Sequence, residues 1–254
     1  MPLHELDTPL SPPTAADFAA VRAGAPPLPV SPDPDFGAIE AAAAQGGSFA
    51  ALVRRLSPCH CGTLFGAAQL AQRLAPARSV RSAGATLDGH SPRALVGDLE
   101  VEGDLSVGAA LVVAGNLNVH GVLRDAGPAS RIVVTGHVRA GHIDSSGWIL
   151  AGGDVAARGL IHCERGHGER GADRRGEPGE DALEALGAIR ARAVIGDEHG
   201  FEAGAGFDVE HRPLQAGARG EHVFDRRDRR HLDQLLASFG EHWVHRFVAP
   251  TARS

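Results

Sequence analysis

The chain has 254 residues, which is enough for one large domain or two small ones. Its formal net charge is −6 and its pI is about 6.1, which argues against nucleic-acid binding, because such proteins usually carry a basic domain or stripe. The 3 cysteines are too few, and odd in number, for a disulfide framework. The first residues lack the pattern of a signal peptide and no segment approaches about 18 apolar residues, so we expect a cytoplasmic protein without a membrane span.

Residues 1–34 form a proline-rich arm. Prolines recur throughout it and leave only residues 15–22 as a stretch that can form a short helix. The sequence therefore predicts that most of this arm is a linker or a loosely docked tail.

Residues 35–80 change to a helical spacing of apolar residues. Ser48 can cap a helix whose apolar residues fall at positions i, i+3, i+4 and i+7, namely Phe49, Leu52, Val53 and Leu56. Thr63 can begin a second helix. We expect this segment to form a helical cap over the N-terminal end of the repeat that follows, because an open repeat exposes strand edges and apolar core.

A short sequence word then returns five times. It is a glycine followed by Asp, Asn or His and then by Leu or Val, as in Gly97-Asp98-Leu99, Gly103-Asp104-Leu105, Gly115-Asn116-Leu117, Gly136-His137-Val138 and Gly153-Asp154-Val155. The glycines form two staggered series, in which Gly97 to Gly115, Gly103 to Gly121 and Gly141 to Gly159 are each 18 residues apart and Gly136 to Gly153 is 17. Apolar and polar residues alternate between the glycines, which is the period of a β-strand.

This alternation assigns an inward and an outward face, because successive side chains of a strand point to opposite sides. The inward set includes Leu99, Val101, Leu105, Val107, Leu111, Val113, Leu117, Val119, Leu123, Ile132, Val134, Val138, Ile149 and Val155. A repeat of this length cannot bury its own apolar face, whereas stacked copies share one core. The alternative is an antiparallel meander, but no Asn-Gly or Asp-Gly pair lies at a strand junction to form its hairpins.

The sequence therefore predicts a mainly β fold, a single-stranded parallel β-helix (β-solenoid) that we expect to be right-handed. It covers residues 90–215 in five or six turns and contains a polar insertion at 164–181, a loop type that is often functional or disordered. In residues 216–254, Asp225 or Asp228 can cap a helix with Leu232, Leu235, Leu236 and Phe239 at helical spacing. We expect a C-terminal capping helix there.

Two histidines are weak candidates for a metal site. His137 and His142 lie five residues apart, and two imidazoles on a β-solenoid resemble the zinc site of γ-class carbonic anhydrases. Those enzymes have a further histidine about a turn earlier, where the nearest residues here are His120 and His90. The main expectation is that the chain holds no metal.

Cysteines give a second, weaker metal hypothesis. Cys59, His60 and Cys61 are suitable zinc ligands but lack a second pair, unless His162 and Cys163 supply it. Buried cysteine side chains explain the same residues. A Gly-x-Gly-x-x-Gly match at 166–171 does not indicate a dinucleotide site, because Gly176 and Pro178 prevent the helix that must follow. We expect no cofactor.

The Gly-Asp-Leu and Gly-Asn-Leu words with alternating Val, over residues 95–160, resemble those of bactofilins, the bacterial polymer-forming cytoskeletal proteins. The resemblance implies a right-handed β-helix that stacks end to end. Bactofilins are mostly bare solenoid, whereas this chain has helical segments on both sides of the repeat. Helical covers would obstruct end-to-end stacking.

The arrangement also resembles a group of bacterial proteins that combine a helical segment, a Gly-Asp-Leu solenoid and an acidic turn with a histidine near the last turn of the coil. Several of them accompany polymorphic toxins and are suspected immunity proteins. Asp197-Glu198-His199 fits that turn, although a Glu stands where a second Asp is commoner. Neither resemblance supplies a catalytic residue.

We therefore expect a non-catalytic protein-binding module, and specifically an immunity protein that neutralises a toxin. The alternatives are a bactofilin-like scaffold and a zinc enzyme. The outward acidic residues would attract a basic toxin domain. The candidate contact residues are Asp98, Glu100, Glu102, Asp104, Arg165, Arg170, Arg174, Asp197, Glu198 and His199.

Overall fold

The computed structural model describes residues 6–56, 60–87, 91–125, 127, 130–164, 182–197, 199–216 and 220–239. These residues form a β-solenoid of about six turns with helices on its N-terminal side and one helix at its C-terminal side. The paired strands in its two sheets run parallel. The predicted fold class is confirmed.

Each turn contributes a strand to each of three faces. Face A contains β1 (Val80–Ser82), β4 (Leu99–Val101), the first parts of β7 (Leu117–Asp125) and β9 (Val138–Ser145), β11 (Val155–Ala157), β14 (Ile189–Ala191) and β17 (Phe207–Val209). Face B contains β2 (Ala85–Leu87), β5 (Leu105–Val107), the second parts of β7 and β9, β12 (Leu160–Glu164), β15 (Ala193–Asp197) and β18 (Val223–Asp225). Face C contains β3 (Arg93–Val96), β6 (Ala110–Ala114), β8 (Arg131–Val134), β10 (Trp148–Ala151), β13 (Ala182–Ala185) and β16 (Gly200–Ala203).

The predicted inward residues form the core of the coil. Leu99 lies beside Leu117, Leu117 beside Val138, and Val138 beside Val155, each one turn further along. The predicted inward set is buried in one continuous cluster. Because every turn places its apolar residues at the same register, the core is a stack of matched layers.

Glycines mark two of the three corners. Corner 1, between faces C and A, carries Gly97, Gly115, Gly136, Gly153 and Gly187, and corner 2, between faces A and B, carries Gly103, Gly121, Gly141 and Gly159. A Cβ atom on Gly115 would lie 2.2 Å from the Gly97 carbonyl oxygen. Successive turns therefore approach so closely at corner 1 that a larger residue does not fit. The third corner lies between faces B and C; of the predicted insertion at 164–181, which falls between β12 and β13 in the chain, residues 165–181 lie outside the described residues.

In the part of the chain that the structure describes, five helices accompany the coil: α1 (Ala15–Gly24), α2 (Phe36–Ala43), α3 (Phe49–Leu56), α4 (Cys61–Leu74) and α5 (Arg229–Phe239). Ser48 caps α3 as predicted, with its Oγ accepting the Ala51 N–H. The side chain of Asp228 accepts the Arg230 N–H at the start of α5. Helix α4 begins two residues before Thr63, whose hydroxyl instead accepts the Asp35 N–H.

The N-terminal helices lie along face C, not over the end of the coil as expected. Helices α3 and α4 pack on strands β3, β6, β8 and β10. These strands are apolar on their outward side too, where Val112, Val133 and Leu150 join the helical core. When the strands of a sheet carry apolar residues on both sides, the side that faces away from the core of the coil must also be covered. At the N-terminal end, Leu6 is 1% exposed and belongs to the core of the coil.

The described part of the arm, residues 6–34, is docked at several points, so the expectation of a linker or loose tail is wrong there. Glu184, which is fully buried on the outer side of β13, accepts hydrogen bonds from the backbone N–H groups of Val30 and Ser31. The Ser31 hydroxyl donates to the same carboxylate at 2.6 Å. Thr8 is also buried and accepts the Val96 N–H. The contact with Glu184 joins segments 154 residues apart, which local sequence patterns do not reveal.

The coil extends beyond residues 90–215 in both directions. It begins with β1 at Val80 and ends with β18 at Asp225. Helix α5 then packs along face B, where Leu235 is buried with Ile195 and Phe224. Like the N-terminal helices, it covers a flank of the coil.

Removal of the Glu184 carboxylate should destabilise the protein. Glu184→Ala leaves two buried N–H groups and a hydroxyl without an acceptor, and we expect it to lower the free energy of unfolding by about 3 kcal/mol. Glu202 occupies the same position on the next turn but is exposed, so Glu202→Ala is the matched control. Urea denaturation of both variants measures the effect. Equal stabilities would contradict the docking role of Glu184.

Candidate interaction surface

A ladder of side-chain acceptors runs along corner 1. Asp98 Oδ1 accepts the Asn116 N–H at 2.8 Å, and Asn116 Oδ1 accepts the His137 N–H at 2.9 Å. His137 Nδ1 accepts the Asp154 N–H at 3.0 Å, and Asp154 Oδ1 accepts the Ala188 N–H at 2.8 Å. Each polar residue of the Gly-Asp-Leu word thus binds the backbone of the next turn. The word requires an acceptor at its second position, and Asp, Asn and neutral His all provide one.

Side-chain acceptors also bind the backbone of the next turn at corner 2. Asp104 Oδ1 accepts the Val122 N–H at 2.8 Å, and His142 Nδ1 accepts the Leu160 N–H at 3.1 Å. A histidine that accepts through Nδ1 carries the proton of its neutral ring on Nε2. These residues therefore have a structural function in the coil. Asp98 and Asp104, both predicted partner contacts, are exposed and also stabilise the stacking of turns.

His137 and His142 do not share a metal site. They lie at different corners, separated by one edge of the coil on the order of 10 Å long, whereas zinc–nitrogen bonds measure about 2 Å. The Nδ1 atom of each ring is already engaged by a backbone N–H. Across the described residues, no three His, Cys, Asp or Glu side chains are grouped so that they could hold a metal ion.

The cysteines are not brought together either. Cys61 is buried under face C at the start of α4, whereas Cys163 points into the core from face B. Burial raises the pKa of Cys61 to about 12 and also raises that of Cys163 well above its ordinary value. Both thiols are therefore protonated at neutral pH, a form that is neither a nucleophile nor a metal ligand. Cys59 lies outside the described residues.

His199 is not a surface residue, which corrects its assignment as a partner contact. It is 1% exposed, with Nδ1 2.9 Å from the Gly200 carbonyl oxygen and Nε2 3.0 Å from that of Gly147. The ring thus joins two turns at the third corner. Glu198 and the side chain of Asp197 lie outside the described residues, as do Arg165, Arg170 and Arg174 of the insertion, so their predicted contacts stay predictions.

Face B carries a polar cluster that sequence reasoning missed. His162 Nδ1 lies 3.0 Å from Asp144 Oδ1, and Arg124 Nε donates to Asp144 Oδ2 at 3.1 Å. Burial favours a higher pKa for Asp144, but the hydrogen bonds from His162 and Arg124 outweigh it and hold that pKa below its ordinary value. Register places the three residues on consecutive turns. The cluster binds those turns together.

Face A is the flank on which the described helices do not pack, because α1–α4 lie along face C and α5 along face B. Its outward side chains form one column, one from each turn: Arg81, Glu100, Asn118, Arg139, Ala156, Arg190 and Asp208. They are all exposed or half-buried. Six inter-strand steps make this face about 29 Å long.

Charges are unevenly distributed on face A and its corners. The first turns are acidic, with Asp98, Glu100, Glu102 and Asp104 against Arg81. Glu100 contacts Arg81 at 2.6 Å and the ring of His120 at 3.2 Å, so its charge is partly balanced. The middle turns carry Arg139 and Arg158, which are exposed and have no carboxylate partner in the described part of the chain.

The strand alternation places Asn118, Arg139 and Ala156 at outward positions. None of them was among the predicted contact residues, because those were chosen from charged clusters and not from the flank that the helices leave uncovered. That flank becomes visible only once the helices are placed on the other two.

Comparison with known proteins yielded no match: no protein-family model, no curated protein and no solved structure matches the chain. Among the described helices, none combines the length and the hydrophobicity that a transmembrane span requires.

The corner ladder predicts which substitutions His137 tolerates. His137→Ala removes the acceptor for the Asp154 N–H and should lower the free energy of unfolding by about 1 kcal/mol. His137→Asn introduces the residue type found at the equivalent position one turn earlier, Asn116. Because Asn also provides an acceptor, this variant should have a free energy of unfolding close to that of the wild type. Chemical denaturation measures both variants. If the Asn variant loses as much stability as the Ala variant, the need for a hydrogen-bond acceptor does not explain the second position of the Gly-Asp-Leu word.

Proposed function

We propose that this protein is a non-catalytic, cytoplasmic protein-binding module that holds its partner on face A. The observation that supports the proposal is the coverage of the coil. Helices α3 and α4 cover β3, β6, β8 and β10 of face C, and α5 covers the last turns of face B, whereas the described helices leave the mostly polar column of face A open along its whole length. A parallel sheet anchored at both corners presents these side chains in fixed positions, which reduces the entropy lost on binding.

The partner that we propose is a basic toxin domain, which would make this chain an immunity protein. The acidic first turns support this choice: the exposed Glu102 carboxylate has no partner among the described residues, and Asp98 and Asp104 are exposed although they accept backbone N–H groups. Carboxylates grouped at one end of a face accelerate encounter with a basic surface and fix its orientation. The combination of a Gly-Asp-Leu solenoid with a helical N-terminal segment also resembles the suspected immunity proteins that accompany polymorphic toxins.

A self-assembling scaffold remains the second candidate, favoured by the bactofilin-like repeat. End-to-end stacking needs an accessible core at both ends of the coil. Leu6 fills the N-terminal end, and Thr8 binds the backbone of β3 there. These contacts favour the binding module over the scaffold.

The test places a bulky side chain in the middle of face A. Ala156 lies between Arg139 and Arg190 in the outward column, so Ala156→Trp should block a flat partner without disturbing the core. Ala41→Trp, at an exposed position of α2, is the matched control. Binding is measured by calorimetry against the product of the adjoining gene, and growth is measured when that product is expressed with each variant.

We expect Ala156→Trp to weaken binding at least tenfold and to abolish protection of growth, while Ala41→Trp keeps both. Binding that survives Ala156→Trp would remove face A from the proposal. Filaments of the purified protein in electron microscopy would favour the scaffold instead.

A further inference from the structure

A second feature lies at corner 2, where the coil and the end of α5 border a half-open cavity of about 320 Å³. The residues that line it are His120, Gly141, His142, Arg158, Gly159, Leu160, Arg192 and Phe239. This volume is at the lower end of the range for small-molecule sites in proteins, about 300–1,000 Å³. We propose that this cavity binds a small organic oxyanion, a phosphate monoester or a carboxylate attached to an apolar group.

The cavity exists because the residues at corner 2 have no room for a side chain. A Cβ on Gly141 would lie 2.6 Å from the Gly121 carbonyl oxygen, and one on Gly159 would lie 2.1 Å from His142 Cε1. These positions must therefore be glycine, and they leave a trough between the flanking side chains. The end of α5 closes one side of the trough with Phe239.

Among the residues that the structure describes, the lining is rich in donors and includes no carboxylate. Arg158 and Arg192 each provide guanidinium N–H groups and no acceptor. A cavity with this lining is complementary to an oxygen anion, and guanidinium groups match phosphate and carboxylate geometry well.

The two arginines are held in place before any ligand arrives. Arg158 donates to the His120 carbonyl oxygen. Arg192 Nε contacts Glu210 Oε2 at 3.1 Å, and its guanidinium lies 5.1 Å from the centre of the Phe239 ring. Preorganised donors lose little entropy on binding, which favours a specific site over loose attraction of ions.

The remaining lining is apolar and selects the body of the ligand. Leu160 and Phe239 face the same cavity as the arginines. Apolar walls exclude water and strengthen the charge contacts beside them. A bare inorganic anion would leave these walls unused, so we expect the bound molecule to carry an aromatic or aliphatic group next to its oxyanion.

The experiment titrates the full-length protein with phenyl phosphate, benzoate and inorganic phosphate at constant ionic strength, by calorimetry. We expect saturable binding of phenyl phosphate or benzoate with a dissociation constant on the order of 1 mM, and weaker binding of inorganic phosphate. The tighter of the two organic ligands identifies the oxyanion as phosphate or carboxylate.

Variants connect the signal to the cavity. Arg158→Ala and Arg192→Gln should each weaken binding at least tenfold. Arg54→Ala changes an exposed arginine on α3, far from the cavity, and should leave binding unchanged. The proposal is overturned if none of the three probes binds saturably, or if binding withstands both cavity variants. The partner assay with Ala156→Trp does not depend on this result, so the two proposals fail separately.

Discussion

The structure depends on the close approach of one turn's backbone to the next at the glycine corners. At corner 1 the Gly115 Cα stands where any Cβ would overlap the carbonyl oxygen of Gly97, which itself has a φ of +114°. Side-chain acceptors next to these glycines then bind the N–H groups of the following turn. Close contact and a polar ladder together fix the register of the turns. The apolar residues stack into layers as a consequence of that register.

Coverage of the coil explains where binding can occur. Strands β3, β6, β8 and β10 of face C are apolar on both sides and need α3 and α4 as a cover, while the last turns of face B are apolar toward α5. The outward column of face A is polar and needs no cover. Face A and the donor-lined cavity meet at corner 2, where Arg158 and His120 border both. A partner on face A and a small anion in the cavity would therefore be neighbours.

The sequence was sufficient for everything that depends on local periodicity. Alternation assigned Leu99, Val134 and Ile149 to the core, and the spacing after Ser48 predicted α3. These inferences succeeded because each rests on residues close together in the chain. The same alternation held an unused signal: Val112, Val133 and Leu150 are apolar at outward positions, which already indicates a covered face.

Long-range contacts were not predictable in the same way. The docking of Ser31 on Glu184 crosses most of the chain, and the burial of His199 requires the position of Gly147. The polar residues of the repeated word looked like a solvated acidic face or a metal site because their acceptors point along the coil, a direction that depends on register. Register between turns is set by stacking, and only the fold reveals it.

The central claim is that backbone contact at the glycine corners holds the turns together. Gly115→Ala tests it most directly, with Gly108→Ala as the control, because a Cβ on Gly108 would have its nearest neighbour at 3.6 Å. The measurement is the free energy of unfolding in urea. We expect Gly115→Ala to lose about 3 kcal/mol or more and Gly108→Ala to remain near the wild type. Equal stability of the two variants would contradict the account.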